Sequence, residues 1–341
     1  YHNVILHVVW ENDKNIETNE GLEICTLELK NIQSIATSSQ ILSLKEKING
    51  LTCERFLKNV PRKMFFEWIN LCAEKRMREK IKNMQKTIPD LKLNQNQGFY
   101  ILLGKYMVGK ANQNQLQELL EILPWKIIHQ KRENIVTVLT ILIFYSGLIN
   151  KIPLEIQKTL STEYDYLKKL YKVTPPECIN WKTGGIFPKG QIENRILQLG
   201  FLLCYFLEQS IFNPDHLYFE KWNEKLKIKL SAILATDTTA TLIKFKQDLI
   251  PGKEKLKSIY VNLLFPLMEK ENPSVFSNFE NLNALMSEKN HITLKFEKLG
   301  LKAKNLLESQ GQTELYENYC RRHLCLRCEI GKKILTINSA A

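Results

Sequence analysis

The sequence predicts a mainly α-helical protein with a small partial β-sheet at its amino terminus, an α+β chain. Two observations carry that expectation. A β-branched apolar run opens the chain, and helical spacing of apolar residues, broken by proline and glycine, governs everything from Pro61 onward.

Val4–Trp10 (VILHVVW) is apolar except for His7, the pattern of a strand covered on both faces. Glu11–Gly21 breaks it with polar residues. Ile24–Lys30 then alternates, with Ile24, Thr26, Glu28 and Lys30 on one face and Cys25, Leu27 and Leu29 on the other. The expected arrangement is a hairpin or two neighbouring strands. An antiparallel register with Glu11 opposite Ile24 sets His7 opposite Glu28. Because the chain starts at Tyr1 directly beside this strand, it is read as an amino-terminally truncated domain with an upstream segment missing.

Pro61 suits a first helical position, and Phe65, Ile69, Leu71 or Cys72, and Met77 form one buried stripe. Further helices are expected near Gln97–Val108, Gln115–Leu123, Asn134–Ser146, Leu154–Tyr171, Ile192–Glu208, Phe219–Leu230, Lys253–Glu269, Phe276–Ser287 and Ile292–Ser309. Ile135–Ile149 is too short for a membrane span and carries Thr137, Thr140 and Ser146, so it reads as a buried core helix. The organisation expected is residues 1–58 as part of an α/β domain, 59–311 as a helical domain, and 312–341 as a cysteine-containing tail.

The net charge of +12 admits a nucleic-acid partner, but only nine of the 48 basic residues are arginine, which favours a solvated lysine surface. Lys75–Lys80 is read in the same way, as the solvent face of a helix. Eight cysteines in 341 residues are too few for a disulfide scaffold. They point to reduced thiols, a cytoplasmic setting and one metal-type cluster. His129, His216 and His291 lack ligand spacing and read as surface or capping residues. Trp181–Gly190 reads as a helix-connecting loop rather than a phosphate cradle, since it lacks a preceding strand and a Gly-Lys-Ser/Thr ending.

The sharpest local signal is Cys320, Cys325 and Cys328 within nine residues. Their spacing suits a zinc site or a cysteine-ligated iron–sulfur cluster, completed by His323 or by the distant Cys53. Arg321, Arg322 and Arg327 would favour the thiolates. The plainer alternative makes Cys320 an inner-face residue of a Leu315–Tyr319 helix and the other two small apolar residues of a terminal turn. On the strands, His7 with the Glu28-x-Lys30 spacing resembles the way metal-dependent nucleases hold a divalent ion. That chemistry needs a second carboxylate, which the fragment does not visibly supply.

Taken together, Tyr1–Asp13 (YHNVILHVVWEND), Thr26–Leu29 (TLEL), Cys53 and Tyr319–Gly331 (YCRRHLCLRCEIG) resemble a bacterial family, domain of unknown function 2851. Phe99–Tyr100 and Arg195–Leu199 (RILQL) are similar to family segments in the helical middle. Phe187–Ile192 departs from the family's Arg-Pro-x-Asn-Phe-Pro pattern. The resemblance implies no established activity. It implies an upstream segment with Gly-Pro-Asp-Phe and a Glu-Ile-His strand, similar to the metal-binding core of restriction-like nucleases. The strands would then be the remnant of a nuclease-like sheet, with catalytic His7, Glu28 and Lys30 beside missing carboxylates. Two functions stand on this reading: a divalent-metal-dependent, nucleic-acid-processing nuclease-like protein whose fragment is inactive, and a non-enzymatic helical interaction module with a structural zinc site.

Overall fold

The computed structural model describes residues 5–18, 21–30, 51–90, 95–123, 125–131, 133–171, 179–182, 191–209, 213–234, 250–271 and 279–339. Tyr1–Asn3, Pro175–Pro176, the Gly184–Gly185 loop, Phe187–Gly190 and the start of the Phe276 helix lie outside the described residues. The chain forms two compact units, one of Tyr1–Trp68 with Tyr316–Ala341 and one of Ile69–Leu315. The protein is mainly α-helical with a small two-stranded sheet near its amino terminus.

In the first unit, β1 (His7–Val9) and β2 (Thr26–Glu28) pair in parallel, with His7 opposite Thr26 and Val9 opposite Glu28. The expected antiparallel register is therefore corrected. The reason lies in the connection: an isolated antiparallel bridge, Glu17 to Glu23, turns the intervening chain so that β2 returns in the direction of β1. The Val4–Trp10 run is not covered on both faces either, since Val8 is 50% exposed and Trp10 70%. Alternation survives, because His7, Val9, Thr26 and Glu28 are half-buried while Val8 and Leu27 are exposed.

Helix α1 (Arg62–Asp90) begins just after Pro61, whose carbonyl accepts the Phe65 N–H at 3.1 Å. Phe65, Ile69, Cys72 and Met77 are buried, together with Ala73 and Met84, and the Leu71 alternative is exposed.

The second unit continues with α2 (Gln95–Met107), α3 (Gln113–Ile122), α4 (Trp125–Gln130), α5 (Ile135–Ser146), α6 (Leu154–Tyr171) and α7 (Ile192–Glu208). Helix α5 packs against α6 and α7, and α2 against α3 and α7. Asn134 caps α5 by accepting the Val136 and Thr137 N–H groups, and Gly147, in the left-handed region, ends it. Ten of its twelve residues are buried, so it is the core helix its composition predicts. Among the described residues no helix is long and apolar enough to cross a membrane.

Helix α8 (Phe219–Leu234) follows, then a continuous run made of α9 (Lys253–Ile259), a π-helical turn Tyr260–Leu264, and α10 (Phe265–Glu271). Tyr205, Phe206, Phe219, Trp222 and Tyr260 form an aromatic cluster there. His216 belongs to it: it is fully buried, with its Nε2 3.0 Å from the Tyr205 hydroxyl, so its reading as a surface residue is corrected. The last helices are α11 (Glu280–Asn283), α12 (His291–Lys298) and α13 (Leu306–Leu315). The single helix expected over Ile292–Ser309 is broken, because Gly300 takes φ +73° and Asn305 restarts the chain by accepting the Glu308 N–H. The first unit closes with a π-helical turn Tyr316–Cys320, a 3-10 turn Cys325–Arg327, and α14 (Glu329–Ser339).

Candidate functional site

Cys53 opens the 3-10 turn Glu54–Asn59, and that turn packs on α14. One residue earlier, the Thr52 hydroxyl lies 3.4 Å from His323 Nδ1. These contacts bring a loop from early in the sequence to the carboxy-terminal cysteines. The chain there is tightly wound. His323 is left-handed at φ 53°, and the Cys328 N–H donates to the Cys325 carbonyl at 3.1 Å, so the two side chains project from one short turn. Gly331 is required by the same geometry, since a Cβ would fall 2.2 Å from the Cys325 carbonyl oxygen.

Burial, with the neighbouring Cys328 and Cys325 adding to it, pushes the Cys53 thiol up to about 12. Burial is likewise the first cause of the rise at Cys325 and at Cys328, with Cys328 adding to it at Cys325. The Cys328 sulfur is opposed by donors: the Gly331 and Ile330 N–H groups at the start of α14, and the Trp68 indole. That indole N–H is buried with no partner at ordinary hydrogen-bond geometry, so it faces the sulfur as a weak donor rather than a formed bond. Tyr319 holds the Trp68 ring edge-on at 5.7 Å. The expectation that arginines depress these thiols is corrected. Arg321 pairs with Glu317 at 3.0 Å, Arg322 and Arg327 are exposed, and burial dominates instead. Cys320 ends the π-helical turn, where its carbonyl accepts the His323 N–H. Among the described residues no group of three or more His, Cys, Asp or Glu side chains stands ready to hold a metal ion.

On the sheet, His7 and Glu28 share a face but are not opposite one another. His7 Nδ1 lies 3.5 Å from the Thr26 hydroxyl, and Glu28 Oε1 accepts the Asn12 N–H at 2.6 Å. Lys30 lies beyond the end of β2 and is paired with Glu11 at 2.5 Å.

The second unit holds a polar network that the sequence reading missed. Helix α13 buries Glu308, Ser309, Gln310, Gln312 and Glu314. Gln310 Oε1 accepts from Lys80 Nζ at 2.6 Å and Arg76 Nε at 3.1 Å, and its Nε2 donates to Glu288 at 2.8 Å. Lys75 and Arg76 lie 3.2 and 3.7 Å from the Glu314 carboxylate. Burial, reinforced by Arg76, lowers Lys80 to about 7, while burial raises Glu288 against the pull of Lys80 and Arg76. Lys80 and Glu288 keep some exposed surface, but their hydrogen bonds hold the charged ends inward. The Lys75–Lys80 run is thus not simply a solvent face. Its signal in the sequence was faint: Leu306–Leu315 (LLESQGQTEL) has polar residues all round yet is bounded by leucines.

A family model described as a protein of unknown function (DUF2851) matches residues 1–312, ending before Cys320. No curated protein and no solved structure matches the chain.

Proposed function

The chain belongs to the DUF2851 family of proteins of unknown function, and from that premise we propose that it is a helical interaction module whose smaller unit is clamped by a structural zinc ion on Cys53, Cys325 and Cys328. Cys320 or His323 supplies the fourth ligand. The observation that carries this reading is the packing of the Cys53 turn on α14, with Thr52 against His323. That packing joins segments far apart in sequence, as the 271-residue separation of Thr52 and His323 records.

The donor set fits. Cys328 is buried and Cys53 and Cys325 are half-buried; each of the three makes ionising a neighbour harder, and a cation among them would relieve that cost. The Ile330, Gly331 and Trp68 N–H groups are the kind of outer donors that steady a metal-bound thiolate. The ion itself would supply cohesion, not chemistry. Glu28 and Lys30 are meanwhile engaged by Asn12 and Glu11, as structural polar groups are.

Purified protein should carry about one zinc ion per chain, and Cys53→Ser or Cys328→Ser should each lower that to well below half. Cys320→Ser compared with His323→Gln identifies the fourth ligand. A visible charge-transfer band with iron and sulfide would replace zinc by an iron–sulfur cluster. Metal-free protein whose thiols all titrate, with a melting curve indifferent to chelator, would end the proposal.

A second reading, a divalent-metal-dependent nuclease-like protein with a nucleic-acid partner, is favoured by His7, Thr26 and Glu28 sharing one face beneath a net charge of +12. With manganese and plasmid DNA or structured RNA, it predicts cleavage lost in Glu28→Gln and binding that weakens steeply with salt. The module reading predicts identical, negligible cleavage by both proteins.

A further inference from the structure

The Lys80–Gln310–Glu288 chain of the second unit is arranged in a way that cohesion alone does not explain. Two cations, Lys80 Nζ at 2.6 Å and Arg76 Nε at 3.1 Å, converge on the neutral amide oxygen of Gln310, where a carboxylate would hold both more firmly. The Nε2 of the same amide donates to Glu288 Oε2 at 2.8 Å, which fixes its orientation. Glu288 is in turn held through its backbone. Its N–H donates to the hydroxyl of the buried Ser309 at 3.3 Å, and its carbonyl accepts from the Thr293 hydroxyl at 3.0 Å. An amine and a carboxyl group thus stand on either side of one fixed amide, each half-buried and still reachable from solvent.

The surroundings push both groups towards their neutral forms. Burial, then Arg76, lowers Lys80 to about 7 against the pull of Glu288 and Glu314. Burial raises Glu288 against Lys80 and Arg76, with Glu254 adding to the rise and Lys257 opposing it. An uncharged amine is a nucleophile and a carboxylic acid is a proton donor, so the pair has what condensation with a carbonyl group needs. Arg76 meets the Glu314 carboxylate only loosely, at 3.7 Å, and its guanidinium retains donors for an anion.

We propose that Lys80 is a reversible covalent binding site for a small 2-oxo acid, held as an imine, with Glu288 as the proton donor and Arg76 as the partner of the bound carboxylate. The Lys80 nitrogen attacks the carbonyl carbon, forming the C–N bond while the C=O π pair passes to oxygen. That oxygen takes a proton released by the nitrogen, which gives a neutral carbinolamine. Glu288 then protonates the hydroxyl, which leaves as water as the nitrogen lone pair closes the C=N bond. The product is an iminium cation balanced by the Glu288 carboxylate. A single amide separates the two groups, which suits a compound of few atoms. No residue of the smaller unit takes part, so the site stands apart from the zinc reading.

Incubation of the whole chain with pyruvate and cyanoborohydride, which reduces an imine to a stable secondary amine, tests this by peptide mass mapping. One carboxyethyl group per chain is expected, on Lys80, with about tenfold or more label there than on any other lysine at about pH 7.5. Methyl pyruvate, which has the same carbonyl without the charge, should label Lys80 about tenfold less. Gln310→Glu supplies the counter-charge that the amide withholds and should lower the label about tenfold. Glu288→Gln should slow labelling about a hundredfold. Label spread evenly over the lysines, undiminished label in Gln310→Glu or Glu288→Gln, or methyl pyruvate reacting as fully as pyruvate would each overturn the proposal. The peptide map of the parent protein and its comparison of the two carbonyl compounds decide the matter even where a variant fails to fold.

Discussion

Gly311→Ala should destabilise the larger unit by about 3 kcal/mol, one of the largest single-residue effects expected in this protein. A Cβ at Gly311 would lie 2.1 Å from the Ile69 carbonyl oxygen and 2.8 Å from Ile69 Cγ2. The first obstacle is backbone, so no rotamer change relieves it, and α13 must move away from α1. That movement disturbs the hydrogen bonds of Gln310 to Arg76 and Lys80 across the same interface. Gly109→Ala is the control, since nothing lies within 4 Å of its added methyl and the residue is exposed. Urea unfolding should show the first variant far below the parent protein and the second within a few tenths of a kcal/mol of it. Equal midpoints for all three proteins would mean that the two helices do not approach this closely.

The second large effect concerns pH. Lys80 and Lys255 are both lowered to about 7 from an ordinary 10.5, chiefly by burial, with Arg76 and Arg195 respectively adding like charge. Between those two values the unfolded chain binds more protons than the folded one, so stability must rise with pH across that window. Below about pH 7 both states carry the charge and the penalty is constant. Glu288 acts in the opposite sense on the acid side. Its raised value means that the folded state holds the proton more firmly, so stability falls as pH climbs above 4.5 towards that value. The ceiling is about 1.4 kcal/mol per pH unit for each proton. Residual exposure of Lys80 and the attraction of the nearby Glu288 carboxylate reduce it. Lys80→Met should flatten the slope between pH 7.5 and 9.5, and adding Lys255→Met should flatten it further. Methionine suits the test because Arg76 still donates to Gln310 when Lys80 is gone. Parallel stability profiles for the parent and double-variant proteins would contradict the assigned environments.

Much of the larger unit was legible because helix formation is decided within a few residues. Leu154–Tyr171 and Ile192–Glu208 begin and end where Pro153 and the apolar spacing place them. The short Trp125–Gln130 helix escaped notice, having too few residues for a period to register. The sheet was legible only as two strands. Three residues on each side cannot specify direction, and the alternation that places His7 with Glu28 on one face is the same for either direction.

The candidate site divides in the same way. Cys325 and Cys328 declared themselves by spacing alone, whereas the place of Cys53 beside them depends on the Cys53 turn meeting α14. Nothing in LLESQGQTEL announces that Gln310 and Glu314 turn inward, because their cationic partners on α1 stand more than 200 residues earlier, as the 230-residue separation of Lys80 and Gln310 shows. By itself the sequence determined where helices start, which stripes they bury and which cysteines are candidates, since each of these follows from hydrogen bonds and side-chain contacts a few residues apart. Only the tertiary structure decided the parallel strand direction, the inward Lys80–Gln310–Glu288 network, the burial of His216 and the neighbours of Cys53. Those depend on the desolvation and pairing of groups that the chain keeps far apart until it folds.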